Sequence, residues 1–182
     1  MPTASSEVHR LSYEDVMRMV DAGVLGTADR VELIDGVLHD MSPLSPTHSE
    51  IVARLGLHFT GASPEHEARV QDLLVVEGGF VMPDLMVIKP PPPGRHPNTA
   101  VLVVEVAVSS QRHDAWKAGP YARAGVGEYW IVDAPGRVVR VHRKAGRRGY
   151  GEIVDFGDGA EIAPALPAPA FAVSALLGPP AA

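Results

Sequence analysis

Cysteine is missing from all 182 residues. Disulfides and thiolate metal centres are thereby excluded, so any bound metal ion must be held by Asp, Glu or His. Carboxylate ligation favours a hard ion such as magnesium or manganese. Long apolar runs are missing too, because charges or prolines interrupt every stretch that might span a membrane. The opening residues MPTASSEVHR are polar and lack the apolar segment of a signal peptide. These absences lead us to expect a soluble, cytoplasmic protein. Basic residues are in deficit: 16 Lys and Arg stand against 22 Asp and Glu, for a net charge of −6. That balance argues against broad, non-specific nucleic-acid binding. The deficit is uneven, however. Arg137, Arg140, Arg143, Lys144, Arg147 and Arg148 crowd one stretch that holds no acid, and local patches matter more than totals for docking a polyanion.

What remains is an ordinary globular composition, 46% hydrophobic and 21% charged, so burial can offset chain entropy. The length suits one domain. We expect its core over about residues 12–160 and an alanine- and proline-rich tail over 163–182. A short helix is expected from Ser12 to about Ala22: Ser12 caps it, Glu14 and Asp15 fill its first turn, and Gly23 ends it. RVELI and VLHDM flank Asp35-Gly36, a strong hairpin signal because both turn residues tolerate positive φ. Ser45-Pro46 opens a second helix, in which Ile51, Val52, Leu55 and Phe59 recur at helical spacing. GASPEHE is a loop.

Three strand-like runs follow: ARVQDLLVV, PDLMVI and AVLVVEVAV. The last is apolar on both parities, as a central strand covered on both faces should be. KPPPPGRHPN between the last two is a stiff, extended loop. After Ser109-Ser110 come a helix over roughly 112–124, then strands EYWIVDA and RVVRVHR around Pro135-Gly136, and one helical turn at Val173 to Leu177. The fold class is α/β, a mixed β-sheet flanked by helices.

Two acids are of particular interest. If PDLMVI and AVLVVEVAV pair antiparallel across the proline loop, a register with Met86 opposite Val103 places Asp84 opposite Glu105. Their Cβ atoms would lie about 5 Å apart on one face. Like charges at ~4 Å repel by about 4 kcal/mol at an effective dielectric of about 20. Either one carboxylate keeps its proton, or a cation lies between them. The alternative is a shifted register that leaves both acids solvated at strand ends. The remaining polar and aromatic residues have plainer readings. His9, His39, His58, His66, His96, His113 and His142 lack the spacing of metal pairs and read as surface residues, while Trp116, Tyr121, Tyr129 and Trp130 read as core. The basic run reads as the solvated face of an edge hairpin.

The ordered segments VELIDG, SPLSPTH, MPDLMVIKP, VVEVAVSS, HDAWK and YARAGVGEYWIVD resemble the Uma-two type restriction-endonuclease family of the PD-(D/E)xK nuclease superfamily, over about Ser12 to Ala134. The resemblance implies a restriction-endonuclease-like fold and a metal-dependent endonuclease that hydrolyses DNA phosphodiester bonds. Pro83-Asp84 looks like the PD element and Glu105 like the acid of the next strand. The superfamily's lysine two positions on is replaced by Ala107, and Lys117 is the matching position in the following helix. Gly119-Pro120 in that helix departs from the pattern and predicts a kink.

Asp84, Glu105 and the main-chain carbonyl of Val106 would hold Mg²⁺ or Mn²⁺. Lys117 would steady the nucleophile or the developing charge. Glu32 and His48 also match family positions; Glu32 would bind a second ion or relay a proton, and His48 would touch the scissile phosphate or support a ligand. A homodimer is the expectation by analogy with nucleases that cut both strands. Two competing readings are a catalytically inactive binding module and a hydrolase of smaller phosphate esters.

Overall fold

The computed structural model describes residues 8–26, 28–108 and 111–179, with backbone alone for 111–115. Ser109-Ser110, which precede the expected third helix, and the His113 side chain lie outside the described residues.

The first helix, α1 (Tyr13–Asp21), begins where Ser12 caps it. The Ser12 hydroxyl accepts from the Asp15 N–H at 3.1 Å, and the Asp15 carboxylate accepts from the Ser12 N–H at 2.8 Å. Each group satisfies a backbone donor that the first turn would otherwise leave open. Strands β1 (Val31–Ile34) and β2 (Val37–Asp40) form the expected hairpin. Asp35 and Gly36 have φ of 48° and 77°, the left-handed pair that matches strand twist. Helix α2 (Pro46–Phe59) starts on a Ser45 cap and buries Ile51, Val52, Leu55 and Phe59.

ARVQDLLVV departs from expectation. It divides into β3 (Glu67–Val70) and β4 (Leu74–Val76), which belong to different sheets. Gln71 takes a φ of 49°, breaking the extended chain at that point. A further strand, β5 (Gly79–Val81), pairs with both β4 and β1. Gly79 permits this: at its φ of +153°, a Cβ would lie 2.0 Å from the Leu33 carbonyl oxygen. The sheet order β2-β1-β5-β4 therefore makes a small second sheet where a single one was expected.

The larger sheet uses β6 (Leu85–Ile88), β7 (Leu102–Ala107), β8 (Glu128–Asp133), β9 (Val138–Gly146) and β10 (Gly149–Gly157), in the order β10-β9-β8-β7-β6-β3. Among the described residues only β7 and β8 run parallel, and helix α3 (Gln111–Arg123) lies between them in the chain. Strand β10 completes an edge hairpin with β9. Four of the six cations of the basic run are paired there, Arg137 on Asp158, Arg140 on Asp155, Arg143 on Glu128 and Lys144 on Glu152, while Arg147 and Arg148 are exposed. The short pair β11 (Glu161–Ile162) and β12 (Phe171–Ala172) leads into α4 (Val173–Leu177).

Both faces of the central strands are covered. One core joins α2 and α4 to Leu85, Val87, Leu102, Val104, Trp130 and Val132. The other joins Met86, Val103, Tyr129 and Ile131 to Tyr121 of α3 and to Ile34, Val76 and Val81 of the small sheet. No helix among the described residues is long and apolar enough to cross a membrane.

Candidate active site

Strands β6 and β7 pair with Leu85 opposite Val104, Met86 opposite Val103 and Val87 opposite Leu102. Continued by one residue, this register sets Asp84 across from Glu105. Both acids are buried, at 7% and 4% exposure, and both line one cavity of about 140 Å³ at the end of these strands. Glu32, His48, Val106 and Lys117 line it too. The five side chains singled out from the sequence therefore converge from β1, α2, the start of β6, β7 and α3.

Asp84 is fixed through one oxygen. Its Oδ2 accepts from the Val106 N–H at 2.8 Å and lies 2.9 Å from His48 Nε2. The described contacts leave Oδ1 to the cavity. A strand residue's N–H and C=O leave by the same edge, so the Val106 carbonyl is directed toward the β6 side as well. His48 is placed by the start of α2, where its N–H donates to Ser45 Oγ at 3.2 Å. Its Nδ1 is buried without a hydrogen-bond partner among the described residues.

The two glutamates are joined by lysine. Lys117 Nζ donates to Glu32 Oε1 at 2.9 Å and to Glu105 Oε1 at 3.0 Å. Glu32 Oε1 also accepts from the Met82 N–H at 2.9 Å. Burial alone would push the Lys117 pKa down, but the Coulombic pull of Glu105 and Glu32 overrides it and holds the pKa above the usual lysine range. The ammonium thus stays charged at 5% exposure. α3 continues through Gly119-Pro120 with Lys117 directed inward, so the helix-breaking pair does not turn the lysine away.

Tyr121 is a site residue the sequence reading left in the core. It is fully buried, and its hydroxyl donates to Glu105 Oε1 at 2.6 Å. Burial, then the charges of Glu105 and Glu32, raise its pKa well above the tyrosine norm, keeping it a donor. The signal was present: Tyr121 lies four residues after Lys117, hence on the same helix face. Arg30, Asp40 and the 41–45 segment also line the cavity. Two aromatic and histidine assignments need correcting. Trp116, expected in the core, is 43% exposed, and His142, expected at the surface, is 5% exposed.

Whether a divalent cation suits this donor set can be judged from charge. Four carboxylates line the cavity (Glu32, Asp40, Asp84 and Glu105) against the two fixed cations Arg30 and Lys117. Among these fixed charges the surplus is two negative charges, in a largely buried place. Among the described residues no group of three His, Asp or Glu side chains forms a ready-made ligand set. The fit is instead to an ion held by two carboxylates and a main-chain carbonyl, which keeps several waters, as magnesium does.

A mixed sheet carrying these acids on adjacent strands, with helices on both faces, is a restriction-endonuclease-like architecture. The chain matches the structure of a "putative nuclease belonging to DUF820 from Anabaena variabilis ATCC 29413" with a TM-score of 0.76, over 92% of this chain and 97% of that one. Identity is 15%, so the likeness is one of fold. The model of the Uma2 family, described as "Putative restriction endonuclease", matches residues 13–175, and the chain belongs to that family. No curated protein matches the sequence.

Proposed function

We propose that the chain is a divalent-metal-dependent endonuclease hydrolysing DNA phosphodiester bonds. The observation that carries this reading is the convergence of Asp84, Glu105 and Lys117 on one acid-rich cavity with a surplus of negative charge. Asp84, Glu105 and the Val106 carbonyl would hold Mg²⁺ or Mn²⁺. Such an ion, when bound, supplies Lewis acidity, lowering the pKa of a water and neutralising charge on the phosphate.

The chain's own groups do the positioning. His48 and the Val106 N–H fix the Asp84 carboxylate, and Tyr121 fixes that of Glu105. Lys117 provides a permanent positive charge beside Glu105, where a phosphate oxygen or the attacking water can be steadied. Glu32 anchors that ammonium from the other side and can accept a proton through a water. His48 Nδ1 has no partner among the described residues and, with Nε2 donating to Asp84, can accept from a water in the cavity. Cytoplasmic location and a dimeric state suit such an enzyme.

The test is cleavage of plasmid and oligonucleotide DNA with Mg²⁺ or Mn²⁺, comparing wild type with Asp84→Ala, Glu105→Ala and Lys117→Met. Metal-dependent cleavage lost in all three supports the assignment; cleavage retained by both acid variants rules out this site. A catalytically inactive binding module is favoured by one observation, the engagement of Lys117 by both glutamates. Calorimetry showing Mn²⁺ binding without any cleavage would favour that second reading.

A further inference from the structure

Beside the cavity stands an exposed tryptophan that no step above uses. The chain has two tryptophans. Trp130 is fully buried, whereas Trp116 is 43% exposed although it immediately precedes the buried Lys117 in α3. Exposing so large an apolar ring forfeits much of the burial it could provide. Trp116 is also fixed in place, since its ring meets that of His39 edge-on, with centroids 5.0 Å apart and planes at 66°. His39 sits directly opposite Glu32 in the β1·β2 ladder, and directly paired residues share a face. The Trp116–His39 pair therefore flanks the glutamate that anchors Lys117. Leu44, 41% exposed, adds an apolar rim where the 41–45 segment borders the cavity.

We propose, resting on the nuclease reading, that Trp116 backed by His39 is a stacking platform for an unpaired nucleobase adjoining the scissile phosphate. The preferred substrate is then single-stranded or locally unpaired DNA. Trp116 meets His39, His39 pairs with Glu32 and Glu32 holds Lys117, so a base on the Trp116 ring would lie beside the strand pair that anchors the ammonium facing its phosphate. A base inside an intact duplex is stacked on its neighbours and cannot reach such a platform without leaving the helix. Charge points the same way. Duplex tracking draws on many phosphate contacts by Lys and Arg, but four of the six cations of the arginine-rich hairpin, all except Arg147 and Arg148, are occupied by Asp158, Asp155, Glu128 and Glu152. Stacking needs no net positive charge and is sequence-tolerant.

Because Trp130 is buried, acrylamide-quenchable emission reports Trp116. A dT 12-mer and a hairpin duplex of matched length are titrated in EDTA, with binding followed independently by anisotropy of labelled DNA. The expected result is that the dT 12-mer, and not the duplex, quenches Trp116 emission and shields it from acrylamide. Trp116→Ala should weaken binding of the single strand by about 10- to 100-fold, with Trp116→Phe retaining most of it. Because the ring is exposed, Trp116→Ala should fold, as its thermal melt will show. If the dT 12-mer saturates by anisotropy while Trp116 emission is unchanged, or if Trp116→Ala binds it as well as wild type, the platform is refuted and the nuclease reading survives. If neither DNA binds and neither is cut with Mn²⁺, both proposals fail together.

Discussion

Two buried carboxylate clusters sit at opposite ends of the parallel β7·β8 pair, and they are built differently. At the start of β8, Glu128 is 1% exposed and both its oxygens are committed, Oε2 to Trp130 Nε1 at 3.1 Å and Oε1 to the Arg143 guanidinium. One acid meets one arginine, and the cluster is closed. At the far end, two buried acids, Glu32 and Glu105, share one buried lysine, a third, Asp84, is held through a single oxygen, and His48 Nδ1 has no partner among the described residues. Burying a charge without full compensation is costly. A fold that satisfies Glu128 completely leaves a negative surplus at its other end, which a bound cation would offset under the proposed function. Saturation is what a structural role predicts, and shortfall is what the proposed site predicts.

The largest effect should come from exchanging these expectations. Asp84→Ala or Glu105→Ala should reduce metal-dependent cleavage by on the order of 10³-fold, while the melting temperature falls only modestly, relief of mutual repulsion offsetting in part the hydrogen bonds lost by Val106 and His48 or by Tyr121 and Lys117. A melting temperature that fell sharply with cleavage intact would make this end structural, like the other.

Lys117→Met attacks the same end through its cation. Cleavage should fall by about 10²–10³-fold. Stability should fall as well, by roughly 3–5 kcal/mol, because Glu32 and Glu105 lose the ammonium between them. Denaturant melts read the second effect. Adding Glu32→Gln to Lys117→Met should recover part of the stability and none of the cleavage; recovery of both would deny the lysine any part in the chemistry.

Glu128→Ala is the converse variant. Arg143 would lose its carboxylate but keeps 28% side-chain exposure, so water can partly replace the partner. The cost should be about 2–3 kcal/mol, below that of a fully buried pair. Cleavage per folded molecule should not change. A fall in that specific activity would mean that the two ends are coupled through β8.

How far the sequence discloses this contrast depends on which physical signals are local. The hairpin was legible because Asp35-Gly36 alone defines its turn. The β6·β7 register was legible because alternation admits few pairings of two apolar runs around Asp84 and Glu105. The second sheet was not. It depends on a three-residue strand at Gly79 and on the break at Gln71, neither of which alters the apolar pattern of the run. β10 was hidden because GYGEIVDFG mixes glycine and acids, and it joins the sheet through pairing with β9. Trp116 and His142 were misplaced for one reason: side-chain type carries an average burial, whereas tertiary packing decides the individual case. Lys117 could be placed on a helix, but its inward direction past Gly119-Pro120 needed coordinates.

The smallest expected effect sharpens the comparison through its two histidines. Unlike His48, His142 is satisfied, with Nδ1 3.1 Å from the Tyr129 carbonyl and its ring stacked on Tyr129. Burial lowers its pKa below the usual histidine value, the Tyr129 carbonyl opposing only in part. Its neutral form is thus favoured in the native state, and the unfolded chain binds the proton more readily. Its contribution to stability is therefore present above the ordinary histidine pKa of about 6.5 and is lost as pH falls from there through the folded value. His142→Gln keeps a donor for the Tyr129 carbonyl and removes the titration. Urea melts across pH 5 to 8 should show wild-type stability rising with pH relative to the variant, most steeply on the acid side. Parallel curves would show that the ring titrates alike in both states, leaving Glu128 as the sole evidence that this half of the sheet is closed to charge.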